Sequence, residues 1–149
     1  MKGTAKIIAL SCLGFMICPA VDAETQQERN KRTVVEFYEA AINQKDFAAA
    51  AKYLGPRYTQ HNQNAADGPA GLQAYLQFLR EKFPEAHSEI KKVFADGDYV
   101  ILHVHAVRVP GTRGSAIVDI FKLGDGKVVE HWDVIQEIPE KAANGNGMF

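Results

Sequence analysis

The sequence predicts an α+β fold, helices first and an antiparallel meander second, and three observations carry that prediction. Up to Phe83 the apolar residues recur at helical spacing; after Ser88 they alternate at period two; and turn dipeptides then punctuate the chain at short intervals. With 149 residues there is room for one domain.

From Asn30 to Asn43, Val34, Val35, Phe37, Tyr38, Ala41 and Ile42 form an apolar stripe, with Glu36, Glu39 and Lys45 on the other side. A shorter helix is signalled by Asp46 as N-cap, followed by Phe47, alanines and Tyr53-Leu54, and Gly55-Pro56 stops it. The segment Tyr58-Thr59-Gln60-His61-Asn62 is too polar for an ordinary core strand and reads as a loop or short strand. Asp67-Gly68-Pro69 then opens a third helix, with Leu72, Tyr75, Leu76 and Leu79 on one face, which ends near Phe83-Pro84.

Four strands follow, at Ser88 to Phe94, Tyr99 to Val109, Ser115 to Leu123 and Lys127 to Gln136. Asp96-Gly97, Pro110-Gly111 and Gly124-Asp125-Gly126 make the turns. Beyond Glu137 no apolar periodicity remains, and residues 139–149 are expected to be a disordered tail.

Residues 1–23 have the form of an export signal: Lys2 and Lys6, an apolar run from Ile7 to Ile17, and Val21-Asp22-Ala23 as a small-residue cleavage site. The run is shorter than the about 20 residues of a membrane span, so a cleaved peptide is expected rather than an anchor, and the location periplasmic or secreted. Both cysteines, Cys12 and Cys18, lie in this segment, so the remaining domain, residues 24–138, has no thiolate nucleophile and no cysteine metal site. Neither cysteine has good lipidation flanks. The charge is close to balanced with no basic block, which argues against nucleic acid or an anionic membrane as partner.

Asp119 is the most conspicuous polar residue, because Ile117, Val118, Ile120 and Phe121 make its surroundings those of a buried strand. An ionised carboxylate there is costly unless it is paired or useful, so Asp119 is either a satisfied structural acid or a tuned acid/base. On the preceding strand His103 and His105 share a face, and across a short loop either can oppose Asp119 or lie diagonal to it. His61 reads as a histidine that fixes its turn. His131 and Asp133 alternate about Trp132, so either Trp132 or the His131/Asp133 pair faces the interior. Histidines and Asp119 are metal-ligand types, but no recognised ligand spacing occurs and no metal is expected. There is no Gly-x-Ser-x-Gly nucleophile and no glycine-rich phosphate loop.

The order helix, helix, Tyr58-Thr59-Gln60-His61-Asn62, helix, then Asp119-Ile120-Phe121-Lys122-Leu123 and Gly126-Lys127-Val128-Val129-Glu130-His131-Trp132-Asp133, resembles the SnoaL-like polyketide cyclase branch of the nuclear transport factor 2-like superfamily from Arg29 to Ile138. The resemblance implies a cone: three helices against a curved antiparallel sheet, a pocket for a hydrophobic small molecule at the open end, and a homodimer through the outer sheet face. It further implies that Asp119 is the general acid/base of an intramolecular closure, that His105 assists it, and that no metal or organic cofactor takes part. Tyr58, His61, Asn62, His103, His131 and Trp132 are the expected ligand-binding residues. Chemically this is coherent, since an apolar pocket raises a carboxyl pKa toward the value that abstraction of a proton beside a carbonyl requires. The competing expectation is a non-catalytic pocket or assembly module in which Asp119 and the histidines are structural.

Overall fold

Residues 24–149 are described by the computed structural model; the proposed signal segment lies outside them. Helix α1 spans Gln26–Tyr38 and continues as a π-helical turn, Glu39–Asn43. It begins four residues before Asn30, because Thr25 caps it by accepting the Glu28 amide; the polar stretch after Thr25 gives no periodic signal of its own. Asp46 caps the short helix α2, Phe47–Ala50, as expected, and a 3₁₀ turn, Ala51–Tyr53, leads out of it. Helix α3 is Gly68–Lys82 and buries Leu72, Leu76 and Leu79 against the sheet.

Gly55-Pro56 and the polar residues up to Gln60 belong to a full strand, β1, Leu54–Gln60. The others are β2 (His87–Asp96), β3 (Tyr99–Val107), β4 (Ser115–Gly124) and β5 (Lys127–Glu137). They form one sheet in the order β1-β5-β4-β3-β2. The sheet differs from the purely antiparallel one expected. β2 to β5 are an antiparallel meander, but β1 adds parallel to β5, with Gln60 beside His131. As an edge strand, β1 tolerates Pro56 and polar residues that a central strand would not.

Two turns show why the sequence folds here. Asp125 and Gly126 both have positive φ, 51° and 71°, the geometry of a tight primed hairpin between β4 and β5. Gly114 has φ 74°, and a Cβ there would lie 2.2 Å from the Ala106 carbonyl oxygen, so only glycine lets the β3–β4 loop close. That closure sets the register that matters for the site. His105 pairs with Ala116 and Leu102 with Asp119, so the odd-numbered residues of β4 share a face with the even-numbered residues of β3.

Helices and sheet enclose a core in which Val34, Leu76, Val100, Leu102, Val104 and Val128 are fully buried. Polar groups tie its rim: buried Asn30 donates to the Gly97 carbonyl, and half-buried Asn43 and buried Ser88 exchange two hydrogen bonds at 2.8 and 3.0 Å. The C-terminal tail has no helix or strand, yet Phe149 rests against the rings of His103 and His105 on the sheet's outer face, at 5.2 and 5.0 Å between centroids.

Candidate active site

Strand register decides which polar residues meet. Along β4 and β5, Asp119 pairs with Asp133 and Phe121 with His131, so these four side chains stand on one face, toward the helices. Trp132 pairs with Ile120 on the other face and stacks on His61, 4.6 Å between centroids at 3°. The open alternative about Trp132 is thus resolved: the His131/Asp133 pair faces the interior.

Asp119 is 5% exposed, and its partner is His131, whose Nε2 lies 3.0 Å from Asp119 Oδ1. On the other side of the ring, Nδ1 lies 2.9 Å from Gln60 Oε1 on β1. Phe121 stacks on the imidazole at 4.6 Å and fixes its plane. Asn62 donates from its side chain to Asp133 Oδ2. The remaining oxygen of the buried acid, Asp119 Oδ2, is the only buried side-chain polar atom among the described residues without a hydrogen-bond partner. A buried oxygen left without any partner costs about 1–3 kcal/mol.

A cavity of about 80 Å³ opens beside this pair. Tyr38, Tyr58, Tyr75, Leu72, Leu79 and Ile117 make much of its wall, and Asp119, His131, Asp133, Gln60 and Asn62 supply its polar side. A larger groove of about 630 Å³ shares Ala106, Arg108, Ile117 and Ile135 with it. Arg108 stands where the two meet, donating to the Tyr75 hydroxyl at 2.9 Å with its guanidinium over Phe83.

The electrostatics follow from burial. Loss of water raises the Asp119 carboxyl above its ordinary value; the bond to His131 opposes this, and the nearby charge of Asp133 adds to it. Burial and the Asp119 charge push the hydroxyls of Tyr38 and Tyr58 far up, so both remain neutral hydrogen-bond donors. Tyr75 is also raised by burial, with Arg108 opposing.

Of the residues singled out in the sequence, Asp119, Tyr58, Asn62 and His131 line this cavity. His61, His103, His105 and Trp132 do not. The expected neighbour of Asp119 is corrected here: His105 turns to the outer face, where its Nε2 lies 2.7 Å from the Arg113 carbonyl oxygen. The parity set by the β3–β4 loop is the physical reason. His61 instead meets Glu130 at 2.9 Å. Sequence reasoning missed Gln60, Tyr38, Tyr75 and Arg108. A signal for Gln60 was its spacing, since strand periodicity places it on one face with Tyr58. Asp119, His131 and Asp133 are metal-ligand types whose ligand atoms lie within 4.8 Å of one another. Both His131 nitrogens and Asp133 Oδ2 already have protein partners in this arrangement.

Helices packed on a five-stranded sheet, with a buried acid and histidine beside an interior cavity, define a protein of the nuclear transport factor 2-like fold. The chain belongs to the SnoaL-like polyketide cyclase family, whose pattern it matches over residues 32–143. No curated protein matches it. Among solved structures it is similar to AclR, a candidate hydroxylase from Streptomyces galilaeus, at 24% identity and TM-score 0.61, covering 74% of this chain and 81% of that one. A candidate polyketide cyclase from Bacillus cereus shares 20% identity at TM-score 0.63, covering 72% and 74%. A candidate SnoaL-like polyketide cyclase from Jannaschia sp. CCS1 shares 20% identity at TM-score 0.61, covering 76% and 90%. At these identities the structural likeness speaks for the fold.

Proposed function

We propose that this protein is a cofactor-independent cyclase, isomerase or dehydratase that moves a proton on a hydrophobic carbonyl compound, with Asp119 as the acid/base. The observation that carries this reading is the Asp119–His131 pair in the wall of an apolar cavity, with Oδ2 of the acid unpartnered. The catalytic pair is therefore Asp119 with His131, in place of Asp119 with His105.

In the proposed step Asp119 Oδ2 takes a proton from the carbon beside a carbonyl, and the C–H electron pair moves onto the carbonyl oxygen as an enolate. A neutral tyrosine hydroxyl donates to that oxygen. Tyr58 suits the role: its oxygen accepts from Gln60 Nε2 at 3.1 Å, which leaves its own proton free to point elsewhere. The enolate carbon then attacks a second carbonyl, whose oxygen takes the proton back from Asp119, or the proton returns to a different carbon of the same substrate.

The inner cavity is smaller than the about 150 Å³ that holds a benzene molecule, so the reacting end of the substrate enters it and the bulk lies in the adjoining groove. Export through residues 1–23 and a homodimer through the outer sheet face complete the proposal. Val118 and Val134, paired and exposed on that face, are the apolar surface that such a dimer would cover.

The test is hydrogen–deuterium exchange beside the carbonyl in a panel of methyl and cyclic ketones, followed by NMR in D₂O. The protein should accelerate exchange for at least one of them, and Asp119→Asn should lose about 10²-fold or more of that acceleration. Exchange at the buffer rate across the panel, or equal rates for the variant, would favour the binding module.

A further inference from the structure

We propose that Gln60 is a positioning residue that locks the His131 tautomer, so that a single mobile proton is shared between His131 Nε2 and Asp119 Oδ1. The backbone amide of Asn62 has only one role open to it, that of a donor. That N–H donates to Gln60 Oε1 at 2.8 Å, which identifies Oε1 as the amide's oxygen; a flipped amide would set two donors against each other. Gln60 Nε2 accordingly donates to the Tyr58 hydroxyl.

Since Oε1 can only accept, His131 Nδ1, 2.9 Å away, must carry the hydrogen in this bond. The consequence falls on the opposite nitrogen. Nε2 and Asp119 Oδ1 are 3.0 Å apart, and two lone pairs facing each other at that distance repel. One proton must therefore lie between them, either on the carboxyl, donated to a neutral ring, or on the imidazolium, donated to a carboxylate.

Gln60 is itself held at both ends. Its backbone N–H donates to Asp67 Oδ1 at 2.8 Å, and the next residue's N–H, that of His61, donates to the His131 carbonyl oxygen at 2.9 Å. Asp67 precedes α3 but spends its carboxylate on this strand instead of capping the helix with its side chain. The edge strand β1 thus brings to the site a fixed chain of donors and acceptors, running from a backbone amide through Gln60 and His131 to Asp119. The groups that face the pair are Tyr38 of α1, Tyr58 of β1, Tyr75 of α3, Arg108 just after β3, and Asp133 of β5.

The catalytic consequence rests on the acid/base reading of Asp119; the tautomer does not, and the experiment separates them. Long-range ¹H–¹⁵N NMR of ¹⁵N-histidine-labelled protein reports which ring nitrogens are protonated across the range in which histidine titrates. In the wild type, His131 Nδ1 should carry the hydrogen. Gln60→Glu keeps an acceptor and should keep the Nδ1–H signature; Gln60→Leu should let the Nε2–H tautomer appear and shift the pH profile of exchange activity. A wild-type neutral ring with the proton on Nε2 and bare Nδ1 would overturn the lock, whatever becomes of the variants. So would a Gln60→Leu spectrum identical to the wild type. The expected tautomer in a protein without exchange activity would uphold the lock and reject the acid/base reading.

Discussion

His131 Nε2 lies 3.0 Å from Asp119 Oδ1, while His105, the histidine expected there from sequence, stands on the opposite face of the sheet. The two histidines therefore predict opposite mutational outcomes. His131→Asn should lower exchange or turnover by about 10-fold to 10²-fold, because the carboxylate loses the group that orients it and balances its charge. His105→Ala should leave activity unchanged and cost under about 1 kcal/mol, since it removes a rim contact to the Arg113 carbonyl. Parallel kinetics and urea unfolding of the two variants check this.

The buried carboxyl makes stability depend on pH in a stated direction. Its folded pKa is raised above the unfolded value, so in the window between the two the folded chain binds more protons and stability falls as pH rises. The slope from this one group is at most about 1.4 kcal/mol per pH unit. Asp119→Asn removes it: the variant should show a flatter stability profile above the ordinary carboxylate range and equal or exceed the wild type at neutral pH. Urea denaturation at several pH values measures this.

Tyr58→Phe separates donor from packing. The ring remains in the core, but Gln60 Nε2 loses its acceptor, and the proposed enolate loses its donor. Stability should fall by about 1 kcal/mol and kcat by about 10-fold to 10³-fold with KM little changed. A kcat equal to the wild type would move the donor role to another cavity residue.

The sheet-and-helix core is tested at Leu76, which is fully buried on α3. Leu76→Ala should cost about 2–5 kcal/mol, read from the urea midpoint, through lost burial and the cavity left behind.

The dimer is tested at Val118 and Val134. An arginine at either position should convert a sedimenting dimer to a monomer without altering exchange activity. A wild-type chain that sediments as a monomer at all concentrations would remove the dimer from the proposal.

Much of this was legible because it is local. The periodic Leu72, Leu76 and Leu79, the Asp46 cap and the Asp125-Gly126 hairpin each carry their structure in a few consecutive residues. Asp119 was also conspicuous, as a lone carboxylate among β-branched neighbours. What was not legible depends on distance along the chain. β1 is polar and pairs with β5 some seventy residues later, so nothing nearby marks it as a strand. Which histidine reaches Asp119 turns on the parity of the β3–β4 register, which a one-residue change in loop pairing reverses. Gln60 acquires meaning only once β1 lies beside His131.

Whether Asp119 is a tuned acid at a ligand site is read by ¹³C NMR titration of its carboxyl, with and without a ketone that the protein retains. Its pKa should lie above the ordinary carboxylate range and move when the ketone binds. An ordinary low pKa, unchanged by the ligand, would contradict that role.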